Sequence, residues 1–316
     1  MLLTDYLRSE CDITWAFAKQ CGVRGAVIRL PESPEFDIAA LSHWRTLCDR
    51  FTTFGFMPVV VEPIPNHLHE HIKRGDALRD QSIDSVIQMM SIMDRVGIRL
   101  ICFNFMAYLG WLRTSHTVKE RGGALVSEFN LDDFSPIDAR ISEKQLWDNY
   151  TYFIRAVIPY AERYNITLAL HPDDPPICKL GDVCRIMTSP DAIEQALRIG
   201  NSSSLGLTMC QATFSMMDAD LEETILRFAK DIRFIHFRNL RGKKELFRET
   251  FHDNGMLNMG RLLRLYRDCG IDVPIRVDHV PNMAGENVEH VGYDALGRLF
   301  AIGYLKGLLE GLENGG

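Results

Sequence analysis

The chain has no block of basic residues and a formal net charge of −7, so the electrostatic footprint of a nucleic-acid binder is missing and a small-molecule partner is expected. No stretch approaches the roughly 18 uninterrupted apolar residues of a membrane span, and residues 1–10 lack a positive segment leading into an apolar core. The expectation is a soluble, cytoplasmic protein that does not enter a membrane. The eight cysteines are scattered with no Cys-x-x-Cys pair, which excludes a dense disulfide framework and suits reduced thiols. Gly-x-Ser-x-Gly, Gly-x-Gly-x-x-Gly and Gly-x-x-x-x-Gly-Lys are absent too, so neither a nucleophile elbow nor a dinucleotide or phosphate loop is supported.

What is present is ordinary globular material: 316 residues, 46% apolar and 24% charged, enough for one large barrel or two smaller domains. Strand-like runs fall at residues 25–30, 57–62, 98–103, 166–170, 205–209, 232–235 and 274–277, with an eighth at 2–6. Helical patterns lie between them at 38–54, 80–96, 143–164, 189–199, 221–230, 259–269 and 294–312, and Ser189-Pro190 forms a cap and first turn for one of them. This alternation predicts an α/β fold, a (β/α)8 barrel occupying residues 1–316 as a single domain. Residues 106–142 break the rhythm, being polar and too long for an ordinary loop. They read as an insertion over the C-terminal face, either a lid that contacts substrate or a mobile surface excursion, while residues 313–316 read as a frayed end.

Four of the runs end on a potential metal ligand: His171, Cys210, His236 and Asp278. In a parallel barrel the carboxyl ends of all strands converge on one mouth, so donors far apart in sequence can meet there. Each has a plainer explanation: His171 a capped turn, Cys210 a small buried hydrophobe, His236 a satisfied core histidine, and Asp278 with Arg276 an ion-pair network. Taken together, two imidazoles, a thiolate and a carboxylate suit a divalent cation, and the thiolate favours zinc or iron over magnesium. The segment after His171, Pro172-Asp173-Asp174-Pro175-Pro176, is stiffened by prolines into a platform.

These residues resemble the mannonate dehydratases of hexuronate catabolism, a family of metal-dependent enzymes with a xylose-isomerase-like TIM barrel. The matching segments are Val61-Glu62-Pro63-Ile64-Pro65 with His69-x-x-Ile72-Lys73, Phe103-Asn104-Phe105-Met106, Trp111-x-Arg113-Thr114, His171 to Pro176, and Gly206-Leu207-Thr208-Met209-Cys210. Further along stand His236-Phe237-Arg238-Asn239, His252 with Gly255 and Met259, Asp278-His279, Gly292-Tyr293-Asp294-x-Leu296-Gly297-Arg298 and Tyr304-Leu305-x-Gly307. The ordered match runs from about residue 55 to the end.

The resemblance implies a divalent metal, manganese first with iron, cobalt, nickel or zinc as alternatives, held by His171, Cys210, His236 and Asp278. It implies that His279 and Tyr293 form the acid and base pair, in either assignment. Asn104, Arg113, Arg238, Arg298 and His252 are the expected substrate contacts, with a structural salt bridge or loop anchor as the alternative for Asn104, Arg113 and Arg238. The implied reaction converts a sugar acid, D-mannonate by default, to 2-keto-3-deoxy-D-gluconate and water. A sugar isomerase or epimerase on the same barrel and a catalytically silent sugar-acid-binding protein are the competing readings, and a homo-oligomer is compatible with all three. The chain departs from the family at Gly110, at Gln211 with the two residues after it, at Val277 and at Val280, and it lacks the family's N-terminal Arg-aromatic-Gly segment. These departures lie around the expected metal set and imply an altered substrate surround, with bulk beside Cys210 narrowing the pocket.

Overall fold

Short runs that are apolar on both faces cannot sit at a solvated sheet surface, and here they form the wall of a closed barrel. The computed structural model describes residues 1–287 and 292–314. The expected frayed end, 313–316, therefore lies partly outside the described residues.

In chain order the elements are β1 (Leu2–Leu7), α1 (Ile13–Gln20), β2 (Gly25–Ile28), α2 (Leu41–Phe54), β3 (Met57–Val61), α3 (Asn66–Arg74), α4 (Arg79–Val96) and β4 (Leu100–Phe103). The inserted segment follows, with β5 (Ser115–Lys119) and β6 (Leu125–Asn130), and then α5 (Glu143–Arg163), β7 (Thr167–Leu170), a small hairpin of β8 (Lys179–Leu180) and β9 (Val183–Cys184), and α6 (Pro190–Gly200). The last third holds β10 (Leu205–Cys210), α7 (Gln211–Phe214), α8 (Leu221–Phe228), β11 (Ile232–Phe237), β12 (Leu240–Lys243), β13 (Leu246–Glu249), α9 (Met259–Asp268), β14 (Pro274–Val277) and α10 (Ala295–Asn314).

The barrel order is β1-β14-β11-β10-β7-β4-β3-β2, every pair parallel, and the run at 2–6 closes it through Leu2 opposite Pro274 and Thr4 opposite Arg276. Side chains alternate across each strand. Val27, Val60, Leu100, Cys102, Ala169 and Phe234 form one buried cluster, separate from the larger one that packs the strands against the helices. Each fully buried large apolar side chain in these layers is worth roughly 1.5–3 kcal/mol. Local signals agree with the packing: Ser142 and Gln145 make a reciprocal capping box at the start of α5, and Ser189 caps α6 with Pro190 in its first turn.

The structure adds elements to the sequence expectation. Helices α1 and α3 stand where no helix was expected. The insertion is not irregular: β5 and β6 form an antiparallel pair, which joins the unexpected hairpin β12–β13 in a four-stranded sheet ordered β12-β13-β6-β5. Phe247 faces Phe129 across the β13–β6 seam, and an isolated bridge ties Leu125 to Asn282, three residues beyond His279. This four-stranded sheet is therefore fastened to the loop leaving β14.

The start of α10 is seated against the same loop. A methyl group added at Gly297 would lie 2.0 Å from the Pro281 carbonyl oxygen and 3.1 Å from its carbon, backbone atoms that cannot swing aside. Gly297→Ala is expected to destabilise the fold by about 1–3 kcal/mol, read as a lower urea midpoint with unchanged slope. An unchanged midpoint would mean that the loop yields freely.

Candidate active site and metal centre

The four expected donors lie on four barrel strands that are neighbours in space. His171 follows β7 directly, Cys210 ends β10, His236 is the penultimate residue of β11, and Asp278 follows β14, while the barrel runs β14-β11-β10-β7. Register pairs Cys210 with His236, and His236 with Arg276. One ligand atom each from His171, Cys210 and His236 can be chosen so that all three lie within 4.8 Å of one another. The Asp278 carboxylate is adjacent, with Oδ2 3.8 Å from His236 Nδ1.

The donor chemistry fits a divalent cation. Both ring nitrogens of His236 are buried without a hydrogen-bond partner, although Nε2 lies 3.3 Å from Glu62 Oε1. His171 Nδ1 is 2.7 Å from the Pro172 carbonyl oxygen, a bond in which Nδ1–H donates and which leaves Nε2 as the lone-pair nitrogen. Burial lowers the His171 pKa, with Asp278 and Glu62 partly opposing it, so the ring is kept neutral and able to ligate. A second group, Glu62, Cys102 and His236, is equally close but shares its imidazole with the first, and Glu62 is held by Arg276.

Around these donors runs a ring of buried charge. Arg113 grips Asp174 with two nitrogens at 2.8 and 3.2 Å and reaches Glu249 Oε1 at 2.5 Å. Arg238 lies 2.7 Å from Asp174 Oδ2, 3.1 Å from Glu249 Oε2 and 3.5 Å from Asp278 Oδ2. Arg276 holds Glu62 at 2.9 and 3.1 Å and Asp278 at 2.9 Å. Burial alone would raise these carboxyls. At Asp174 the guanidinium groups of Arg113 and Arg238 reverse that, and at Asp278 a positive charge on His279 or His236 would do so alongside the permanent charges of Arg276 and Arg238, so both carboxyls are held well below the usual carboxylate range.

The cavity at the barrel mouth measures about 200 Å³, smaller than the ~300–1,000 Å³ typical of drug-sized ligand sites, and so suits a metal with a small metabolite. His171, His236, Asp278, His279, Tyr293 and Asn104 all line it. The Tyr293 hydroxyl donates to Asp278 Oδ1 at 2.9 Å, and its ring packs edge-on against His279 with centroids 5.3 Å apart. Burial, reinforced by Asp278, raises the Tyr293 pKa well above its usual value.

Other expected substrate contacts are not brought to this surface. Arg113 and Arg238 face carboxylates instead, the salt-bridge alternative, and Arg238 is 0% exposed. Arg298 is bonded to Asp5 and, at 2.6 Å, to the Tyr6 carbonyl oxygen, while the His252 ring lies 2.7 Å from the Phe237 carbonyl oxygen. The physical reason is common to the three arginines: a buried cation needs a partner, and here the chain supplies it. Gln211 does not narrow the cavity either, because its amide donates to the Arg238 carbonyl and accepts from the Tyr266 hydroxyl. Gly110, Val277 and Val280 also lie off the cavity lining.

Glu62, Trp111 and Asp174, which the sequence singled out only as parts of matching segments without a site role, and Tyr6, which it did not single out, also line the cavity. Glu62 was within reach, since it follows β3 as His171 follows β7. Tyr6 sits on the strand with the least periodicity, and its ring packs 5.1 Å from Tyr293. Trp111 lies in the insertion, where no pattern says which side chain turns inward.

The family model described as "D-mannonate dehydratase (UxuA)" matches residues 6–140 and 130–316. A mannonate dehydratase from Streptococcus agalactiae serotype Ia is 29% identical over 93% of this chain and 92% of its own. A mannonate dehydratase 2 from Halalkalibacterium halodurans is 30% identical over 93% of each. The crystal structure of mannonate dehydratase from Streptococcus suis serotype 2 superposes with a TM-score of 0.90 at 28% identity, covering 98% of this chain and 93% of that one. With the barrel, the ordered donors and matches spanning nearly the whole sequence, the chain belongs to the D-mannonate dehydratase (UxuA) family.

Proposed function

We propose that this protein is a metal-dependent hydro-lyase that converts a sugar acid, D-mannonate first among candidates, to a 2-keto-3-deoxy acid and water. The observation that carries the reading is the clustering of His171, Cys210 and His236, with Asp278 next to His236, at the ends of adjacent strands, where His171, His236 and Asp278 line one cavity with His279 and Tyr293. Charge supports it. Glu62, Asp174, Glu249 and Asp278 against Arg113, Arg238 and Arg276 leave one surplus negative charge, and Cys210 as thiolate makes two, which a dication neutralises. Manganese is the first choice, with iron, cobalt, nickel and zinc compatible with the same donors.

When bound, the metal ion supplies Lewis-acid stabilisation of negative charge on the substrate's carboxylate end. His279 takes the C2 proton, and the hydroxyl of Tyr293, a donor in this geometry, protonates the departing 3-hydroxyl. The carbon skeleton thus loses one hydrogen and one hydroxyl, and the resulting enol becomes the 2-keto group. Asn104 and Trp111 line the same cavity, and the buried indole N–H of Trp111 has no partner among the described residues, so it is available to a substrate hydroxyl.

Protein reconstituted with manganese and incubated with a panel of hexonates is expected to release a 2-keto-3-deoxy acid from at least one of them. No product from any acid with metal bound would overturn the reading, and solvent deuterium entering C2 without loss of water would move it to an isomerase or epimerase. Cys210→Ala is expected to weaken metal binding by more than about 10-fold, measured by titration, and to abolish the thermal stabilisation that metal gives the parent. His279→Gln and Tyr293→Phe are each expected to keep the metal and lower kcat by about 10²- to 10⁴-fold. Retained turnover in either would remove that residue from the chemistry.

A further inference from the structure

The two ring nitrogens of His279 face different surroundings. Nδ1 lies 3.2 Å from Glu249 Oε1, whereas Nε2 is turned toward the metal side, 3.7 Å from Asp278 Oδ1. Trp111 and Tyr293 flank the ring, with centroids 4.6 and 5.3 Å away, so the imidazole cannot flip without displacing one of them.

Glu249 is not a strand-end residue of the barrel. It is the last residue of β13, 1% exposed, and reaches the mouth from the four-stranded sheet. Arg113 donates to its Oε1, and Arg238 Nε lies 3.1 Å from its Oε2. A carboxylate held between two guanidinium groups is ionised and accepts only, so the nitrogen that faces it must carry the hydrogen.

We infer that Glu249 is the positioning residue for His279: its carboxylate accepts Nδ1–H and thereby leaves Nε2 bare and directed into the cavity, the tautomer that can receive a proton from a substrate carbon. The inference rests on the dehydratase reading only for which proton is taken. The tautomer itself exists without turnover. It also gives the four-stranded sheet a part in the chemistry, because Glu249 is held in place by the pairing of β13 with β6 and with β12.

The test uses full-length protein labelled in histidine with an isotope of nitrogen and loaded with diamagnetic zinc, at a pH of about 8, above the usual histidine range. Long-range proton–nitrogen correlation spectra report which ring nitrogen carries hydrogen, and the His279 signals are those missing from His279→Gln. The expected spectrum shows Nδ1 protonated and Nε2 bare. Glu249→Met removes the acceptor while Arg113 and Arg238 keep Asp174. It is expected to lose this single tautomer and to lower kcat by about 10²-fold with KM and metal content little changed.

An Nε2–H tautomer or an imidazolium in the parent would overturn the inference, as would a folded Glu249→Met that keeps the parental tautomer and kcat. Should Glu249→Met fail to fold, the parental spectrum decides alone. A parent with the expected tautomer and no turnover on any acid would sink the dehydratase reading and leave this one standing.

Discussion

The buried carboxylate of Asp174 is the point on which the site depends. It accepts from Arg113 through both oxygens and from Arg238 through one, and all three side chains are 1% exposed or less. Breaking a buried pair leaves an unpaired charge in low dielectric, at a cost of about 3–5 kcal/mol, whereas the intact pair adds little net stability. The arrangement therefore specifies geometry more than it stabilises the fold. Asp174 fixes the loop that carries His171, Arg238 extends from just beyond His236, and the same guanidinium approaches Cys210 at 3.8 Å and Asp278 at 3.5 Å. All four donors are thus indexed to one buried ion-pair ring.

That constraint limits how substrate can be recognised. Among the described residues lining the cavity the guanidinium present is that of Arg276, already engaged by Glu62 and Asp278. Arg113, Arg238 and Arg298 are taken up behind the wall. A bidentate arginine clamp, the usual partner of a carboxylate, is therefore not offered to a ligand here. On the proposed reading, the attraction of an acid substrate would fall to the dication, and hydroxyl recognition to neutral donors such as Asn104 and Trp111. The aromatic side chains of Tyr6, Trp111 and Tyr293 then shape the rest of the cavity.

The barrel was legible because its strands break the apolar pattern at polar residues: His171, His236 and Asp278 each interrupt or end a run of buried residues. Even the weak run at 2–6 is a strand, closed by Thr4 beside Arg276. What the sequence could not announce was pairing between distant charges. Arg113 and Arg238 carry the composition of carboxylate binders, and nothing local says that Asp174 and Glu249, 61 and 136 residues from Arg113, already occupy them. The hairpin β12–β13 was hidden for the same reason. Its residues, Leu240 to Glu249, include a Gly and a cluster of charges with no clear alternation, and β13 is a strand through its pairing with β12 on one side and with Glu128, Phe129 and Asn130 of β6 on the other. Helices α1 and α3 are short, eight and nine residues, and were not read from periodicity.

The insertion and the metal donors are consequently not independent modules. Asp174 comes from the barrel loop and Glu249 from the four-stranded sheet, yet both bind the same two arginines, so ordering either carboxylate preorganises the partners of the other. Loosening the sheet would expose one face of Arg113 and Arg238 and pull at the loop bearing His171. Displacing that loop would in turn leave Arg113 with Glu249 alone and Arg238 with Glu249 and the more distant Asp278. The four-stranded sheet thus shares one network of buried charge with the loop that carries His171, a candidate metal donor.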